Sequence, residues 1–287
     1  MPTEESDKGP LGQKVDAPDV YSPQVLFPIP RMRGRSLLNL AEPESLPFEG
    51  TDIWTAYELS WLNQAGVPRR GVLELRIPCN TVNLVESKSL KLYLNSLSFK
   101  RFSAESEALS TIVSDVSPIL GSPSPSARLL DAELPLLDAA AWECVDDEDV
   151  GEVPETVLEA PDESHLVVGE VENKVTTERL VSHVLRTLCP VTGQPDWGSV
   201  LIEYSGTRRI DRGGLLKYIC SLRREVGFHE NAIERIFLAI AHRCQPAALR
   251  VTGRFFRRGG IDINPVRSTH GAEATLGPSY PVRVHGQ

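Results

Sequence analysis

Leu180-Val181-Ser182-His183-Val184-Leu185-Arg186-Thr187-Leu188 runs into Cys189-Pro190-Val191-Thr192-Gly193-Gln194-Pro195-Asp196, and then into Ser199-Val200-Leu201-Ile202-Glu203-Tyr204. The first segment alternates and the last is rich in β-branched and aromatic side chains, so both read as strands. The prolines and Gly193 between them favour a tight turn. The three pieces make a β-hairpin with a cysteine at its tip.

Working outward, Arg212 to Val226 reads as a helix, and a second helix begins near His229-Glu230 with Ile233, Ile236, Phe237 and Ile240 as its apolar stripe. A strand from Leu249 to Phe256 ends in Arg257-Arg258-Gly259-Gly260. Upstream, Asp52 to Leu62 and Gly71 to Ile77 flank Ala65-Gly66-Val67-Pro68, which makes another hairpin. Ser89 to Phe99 follows it as a helix, with Leu90, Leu94 and Leu97 on one side. The N-terminal half thus repeats the hairpin-then-helix order of the C-terminal half. An α+β fold follows, with antiparallel sheets covered by helices on one face and built twice.

Residues 1–20 are polar and punctuated by proline, and read as a flexible tail; order begins near Val25 to Pro30. Ser103 to about Pro161 reads as a connector with one or two short strands, Ala127 to Leu134 among them. Its acidic run, Asp146-Asp147-Glu148-Asp149, lacks calcium-loop spacing and is expected to be a solvated face. The expected division is a tail (1–20), an N-terminal module with the connector (21–160) and a C-terminal module (161–287).

Composition narrows the function. The 287 residues are 41% hydrophobic and 24% charged, the balance of a globular protein. No run of eighteen apolar residues occurs, which argues against a membrane span. The first residues lack a basic patch and apolar stretch, so residence in the cytoplasm is expected. A net charge of −9 argues against a nucleic-acid partner. Five cysteines (Cys79, Cys144, Cys189, Cys220, Cys244) show no zinc-ligand spacing, so no metal is expected. No Gly-x-Gly-x-x-Gly follows a strand, which excludes a Rossmann cofactor site.

Four motifs in order resemble the QueF family, NADPH-dependent 7-cyano-7-deazaguanine reductases of queuosine (tRNA modification) biosynthesis. They are Glu86-Ser87-Lys88-Ser89-Leu90-Lys91, Cys189 to Asp196 with Trp197-Gly198, Gly227-Phe228-His229-Glu230, and Arg257-Arg258-Gly259-Gly260-Ile261-Asp262. Thr51 to Asn63 is also similar, and the likeness runs from about Tyr21 to Arg283. The Glu-Ser-Lys-Ser motif precedes the cysteine loop by about a hundred residues, as in the longer branch of the family. The resemblance implies two tandem tunnelling-fold modules, assembled as a homodimer.

It also implies roles. A nitrile carbon is a weak electrophile, and a thiolate is the side-chain nucleophile best suited to adding to it, giving a thioimide that a hydride can reduce. Cys189, at an accessible hairpin tip, is the expected nucleophile; the other four cysteines are expected to be small buried hydrophobes. Asp196 is either a turn-capping carboxylate or, as the family implies, the proton donor to nitrogen. Glu230 could merely complement a helix dipole. The resemblance makes it a bidentate acceptor for the base's N1–H and amino group, with His229 beside it. Further substrate contacts fall to Val85, Glu86 and Ser87, and NADPH contacts to Ser87, Lys88, Arg258 and Gly259. Four electrons are needed, hence two NADPH. A thiol hydrolase and a non-catalytic purine-binding module are the competing classes.

Overall fold

Alternating apolar residues become strands here, and the stripes become helices, in two compact units: Met1–Leu46, Thr51–Glu133 and Arg257–Ile263 form one, and Pro47–Gly50, Leu134–Phe256 and Asn264–Gln287 the other. The structure, a computed structural model, describes residues 16–40, 45–131, 133–170, 174–279 and 282–287. Most of the expected tail, residues 1–15, lies outside the described residues.

The first unit contains β1 (Pro28–Pro30), α1 (Met32–Arg35), β2 (Glu49–Leu62), β3 (Pro68–Pro78), β4 (Asn83–Val85), α2 (Ser87–Ser96), α3 (Glu105–Leu120) and β5 (Ser126–Leu129). β2, β3 and β5 are antiparallel neighbours, and β1 pairs with β4. Trp54, Ala56, Leu73, Leu75 and Ile77 of the sheet meet Leu90, Tyr93 and Leu94 of α2 and Ala108, Ile112, Val116 and Leu120 of α3 in one core.

The 16-residue helix α3 corrects the expectation of a connector from Ser103. Its buried residues recur every fourth position, which is a helical stripe. Serine and threonine obscure it in the sequence. Ser110, Thr111 and Ser117 hydroxyls donate to carbonyls one turn back, which lets these residues sit inside the helix.

The second unit contains β6 (Glu143–Cys144), β7 (Val168–Glu170), β8 (Thr176–Leu188), β9 (Pro195–Gly206), β10 (Arg208–Ile210), α4 (Arg212–Ser221), α5 (His229–Cys244), β11 (Ala248–Phe255), β12 (Ile261–Ser268) from Asn264 onward, and α6 (Glu273–Leu276). The sheet order is β12-β11-β9-β8-β6, antiparallel but for the two-residue pairing of β6 with β8. α5 buries Ile233, Ile236, Phe237 and Ile240. A Cβ at Gly253 of β11 would lie 2.8 Å from Ile233, so glycine there lets the helix close onto the sheet. The acidic run is divided: Asp147, Glu148 and Asp149 are exposed, whereas Asp146 accepts hydrogen bonds from Ser182 Oγ and His183 N. Arg212 holds the incoming connector through Glu143 at 2.6 Å.

Both units run strand, strand, helix, helix, so the expected α+β plan is built twice. Their hairpins match residue by residue. Leu62 pairs with Pro68 and Leu188 with Pro195; the register runs unbroken to Leu59 with Gly71 and Leu185 with Gly198, and an irregularity follows in both. Each tip is strapped in the same way. Leu62 bonds to Lys100 and Phe102 at 2.9 Å, and Leu188 to Glu225 at 2.8 Å and Gly227 at 3.0 Å.

Candidate active site

In the second unit the strap across Leu188 leaves the next residue enclosed. Cys189 N donates to Gln194 O and Gly193 N to Cys189 O, both at 2.9 Å, and Gly193 takes φ +67 to complete the turn. The turn folds the cysteine inward, leaving it 5% exposed. The expectation of an accessible sulfur is therefore corrected: rigidity comes with burial.

Asp196 opens β9 directly opposite Thr187 and is also buried. His229 Nε2 lies 3.5 Å from Asp196 Oδ2. The imidazole stacks on Phe255 at 3.9 Å with planes 6° apart, which fixes the edge it turns toward the carboxyl. Glu230 follows it into the first turn of α5, 2% exposed, where Phe228 supplies no side-chain cap. A buried carboxylate at that position profits from the helix N-terminus. Asp196 and His229 thus meet, with Cys189 at the same hairpin tip.

The first unit holds the remaining predicted residues. Val85 ends β4, and Glu86 is the N-cap of α2. Glu86 Oε1 accepts from Lys88 N at 2.7 Å and Oε2 from Ser89 N at 2.8 Å. Burial pushes its carboxyl up in pKa, against those amides. This capping role was not read from the sequence, because glutamate is not among the preferred N-caps. Ser87 and Lys88 lie half-buried in the first turn.

Arg258 N donates to Ile261 O at 2.8 Å around Gly259 (φ +60) and Gly260 (φ +81). Two left-handed residues in succession make the tight turn that favours glycine. A Cβ at Gly259 would come within 3.4 Å of the Lys91 side chain, so bare backbone faces a lysine there. Lys91 sits 3.7 Å from Glu58, and Arg257 lies over the Tyr57 ring at 4.5 Å. Glu58, Lys91, Asn95, Gly259 and Gly260 line a shallow cavity of about 60 Å³. Lys91 lies within the Glu86–Lys91 motif but was given no role there, although it follows Lys88 by three residues and so shares its helix face. Lys91 thus stands beside the glycine turn that Arg257 and Arg258 lead into, and cations beside exposed backbone N–H groups are the chemistry that suits a phosphate.

The other cysteines behave differently from one another. Cys79 and Cys244 are buried as expected, Cys220 is half-buried, and Cys144 is exposed, because the two-residue strand β6 lies at the edge of its sheet. Burial raises the pKa of the thiols of Cys144 and Cys220, and that of Cys244 to about 11, which disfavours the nucleophilic thiolate at all three.

The family model described as "Nitrile reductase, 7-cyano-7-deazaguanine-reductase N-term" matches residues 17–124, and "QueF-like protein" matches residues 195–274. A protein of Desulfotalea psychrophila named NADPH-dependent 7-cyano-7-deazaguanine reductase is 46% identical over 91% of this chain and 92% of its own length. The chain belongs to the QueF family. Relatives of the same name from Burkholderia orbicola (44% identity over 92% of this chain and 94% of theirs) and Azoarcus sp. (43% over 93% of each) span both QueF modules. The QueF resemblance read from four short motifs therefore extends over nearly the whole chain.

Proposed function

We propose that this chain reduces the nitrile of 7-cyano-7-deazaguanine to 7-aminomethyl-7-deazaguanine, in queuosine biosynthesis, through a thioimide on Cys189. The observation that carries the reading is the buried pair formed by Asp196, on the hairpin whose tip encloses the thiol, and His229 of α5, 3.5 Å apart. The Cys189 sulfur adds to the nitrile carbon, one C–N π pair moves to nitrogen, and nitrogen takes a proton from Asp196. NADPH, when bound, would supply one hydride to that carbon in each of two reductions, four electrons in all; between them the C–S bond breaks, its electron pair returning to the Cys189 sulfur and leaving the imine. His229 returns protons to the Asp196 carboxylate between reductions. Enclosure of the site keeps water from hydrolysing the thioimide and the imine that follows.

Glu230 accepts the base's N1–H and amino group together, and His229 holds the substrate beside it. Val85, Glu86 and Ser87 supply further substrate contacts, with Glu86 sharing its oxygens between ligand and helix amides. Ser87, Lys88, Arg258 and Gly259 hold NADPH, the cations engaging its phosphates. The working form is a cytoplasmic homodimer. The test is NADPH oxidation with and without the cyano-base. Consumption dependent on the base is expected; ammonia release without NADPH consumption would turn the reading to a thiol hydrolase.

A further inference from the structure

Thr187 stands two residues before Cys189 and directly opposite Asp196 in the β8–β9 pairing. Residues opposed in this way share a face of the sheet, with their Cβ atoms about 5 Å apart. Thr187 is 0% exposed, and its Oγ1 has no hydrogen-bond partner among the described residues. A buried hydroxyl left without a partner is destabilising, and valine would fill the same volume without that cost. The first hairpin shows what the position holds where no chemistry is done. There the matching residue is Trp61, opposite Arg69, and its indole lies in the apolar core.

We propose that the Thr187 hydroxyl hydrogen-bonds the nitrogen of the substrate while its carbon is attached to Cys189, which makes Thr187 a further catalytic residue. The inference rests on the Cys189 reading above. A thioimide nitrogen carries one lone pair and one N–H, and a threonine hydroxyl both donates and accepts, so it suits the nitrogen before and after protonation. No bond to Thr187 forms or breaks. Asp196 gives the proton and His229 restores it; Thr187 holds the nitrogen within reach of the Asp196 carboxyl while the carbon stays bonded to sulfur. Recruitment by the ligand explains why the hydroxyl is retained although the protein alone gives it nothing to bond.

The test compares wild type with Thr187→Val and Thr187→Ser. The readouts are the rate of adduct formation with the cyano-base in the absence of NADPH, kcat and KM with it, and melting temperature. Thr187→Val should melt at or above the wild-type temperature, yet lose about tenfold or more in adduct formation and kcat, the loss of one hydrogen bond to a reacting group. KM should hardly move, and Thr187→Ser should restore most of the rate. Should the valine variant not fold, Thr187→Ala carries the same comparison. A valine variant reacting at the wild-type rate overturns the assignment, as does a serine variant no faster than valine. If wild type itself forms no adduct, the Cys189 reading fails and this proposal with it. An adduct in wild type with an unimpaired valine variant removes Thr187 alone.

Discussion

The two hairpin tips share a frame and differ in what they enclose. Both are pinned by a leucine to the segment that precedes a 16-residue helix, and both restart with proline. The first tip is open: Asn63 Oδ1 accepts from Val67 N at 2.9 Å, and Arg101 donates to Gln64 O at 2.5 Å, both exposed. The second folds Cys189 inward. After the first tip comes α3, whose leading acid, Glu105, is exposed; after the second comes α5, where His229 and Glu230 are both buried. The backbone plan therefore does not confer reactivity. On the function proposed above, side chains at matching places do, and one copy is free to serve the core while the other carries a buried polar cluster.

The sharpest contrast should come from the residues after each tip. Asp196→Asn keeps shape but removes the transferable proton, so turnover should fall ~10²–10⁴-fold. Its counterpart Arg69→Ala should leave turnover alone and change stability by no more than about 0.5 kcal/mol. A turnover loss in both variants would mean that the frame, not the carboxyl, is being disturbed.

Next come the helix starts. Glu230→Gln sets an amide donor against a substrate donor, at a cost of about 1–3 kcal/mol in substrate affinity, roughly ten- to a hundredfold. Glu105→Gln should instead lower stability by about 0.3–1 kcal/mol, as expected for one charge lost near a helix N-terminus. Titration of the cyano-base and thermal melts of both variants read this. Unchanged affinity in Glu230→Gln would return it to the dipole role.

An effect of similar size is expected at Arg258. Arg258→Ala should weaken NADPH by roughly 1.5–3 kcal/mol and NADH by much less, since only NADPH carries the 2′-phosphate. Binding titrations with both cofactors check it. Equal losses would assign Arg258 to the pyrophosphate or to the turn.

Much of this frame was legible beforehand, because alternation and stripes are local signals. Gly71 to Ile77 sets Val72, Glu74 and Arg76 against Leu73, Leu75 and Ile77, and Ile233, Ile236, Phe237 and Ile240 mark α5 without help. α3 was missed because its serines read as loop chemistry, and they are neutralised only by bonds to the helix's own carbonyls. β12 was read only as a motif; its Asn-Pro step resembles a turn until Thr252 and Val266 are paired. Site residues inside motifs could be named. Two others could not: Thr187 looks like any strand threonine until its register opposite Asp196 is known, and Lys91, though it ends a motif, looks like any helical lysine until Gly259 is found beside it.

The claim that only the second tip is reactive is tested most directly by mapping a covalent adduct. The protein is mixed with 7-cyano-7-deazaguanine without NADPH, digested, and its peptides weighed. One peptide should gain the mass of the whole base, the one containing Cys189, and Cys189→Ala should show no gain anywhere. An adduct that persists in Cys189→Ala, or that maps to Cys144 or Cys220, would contradict the account.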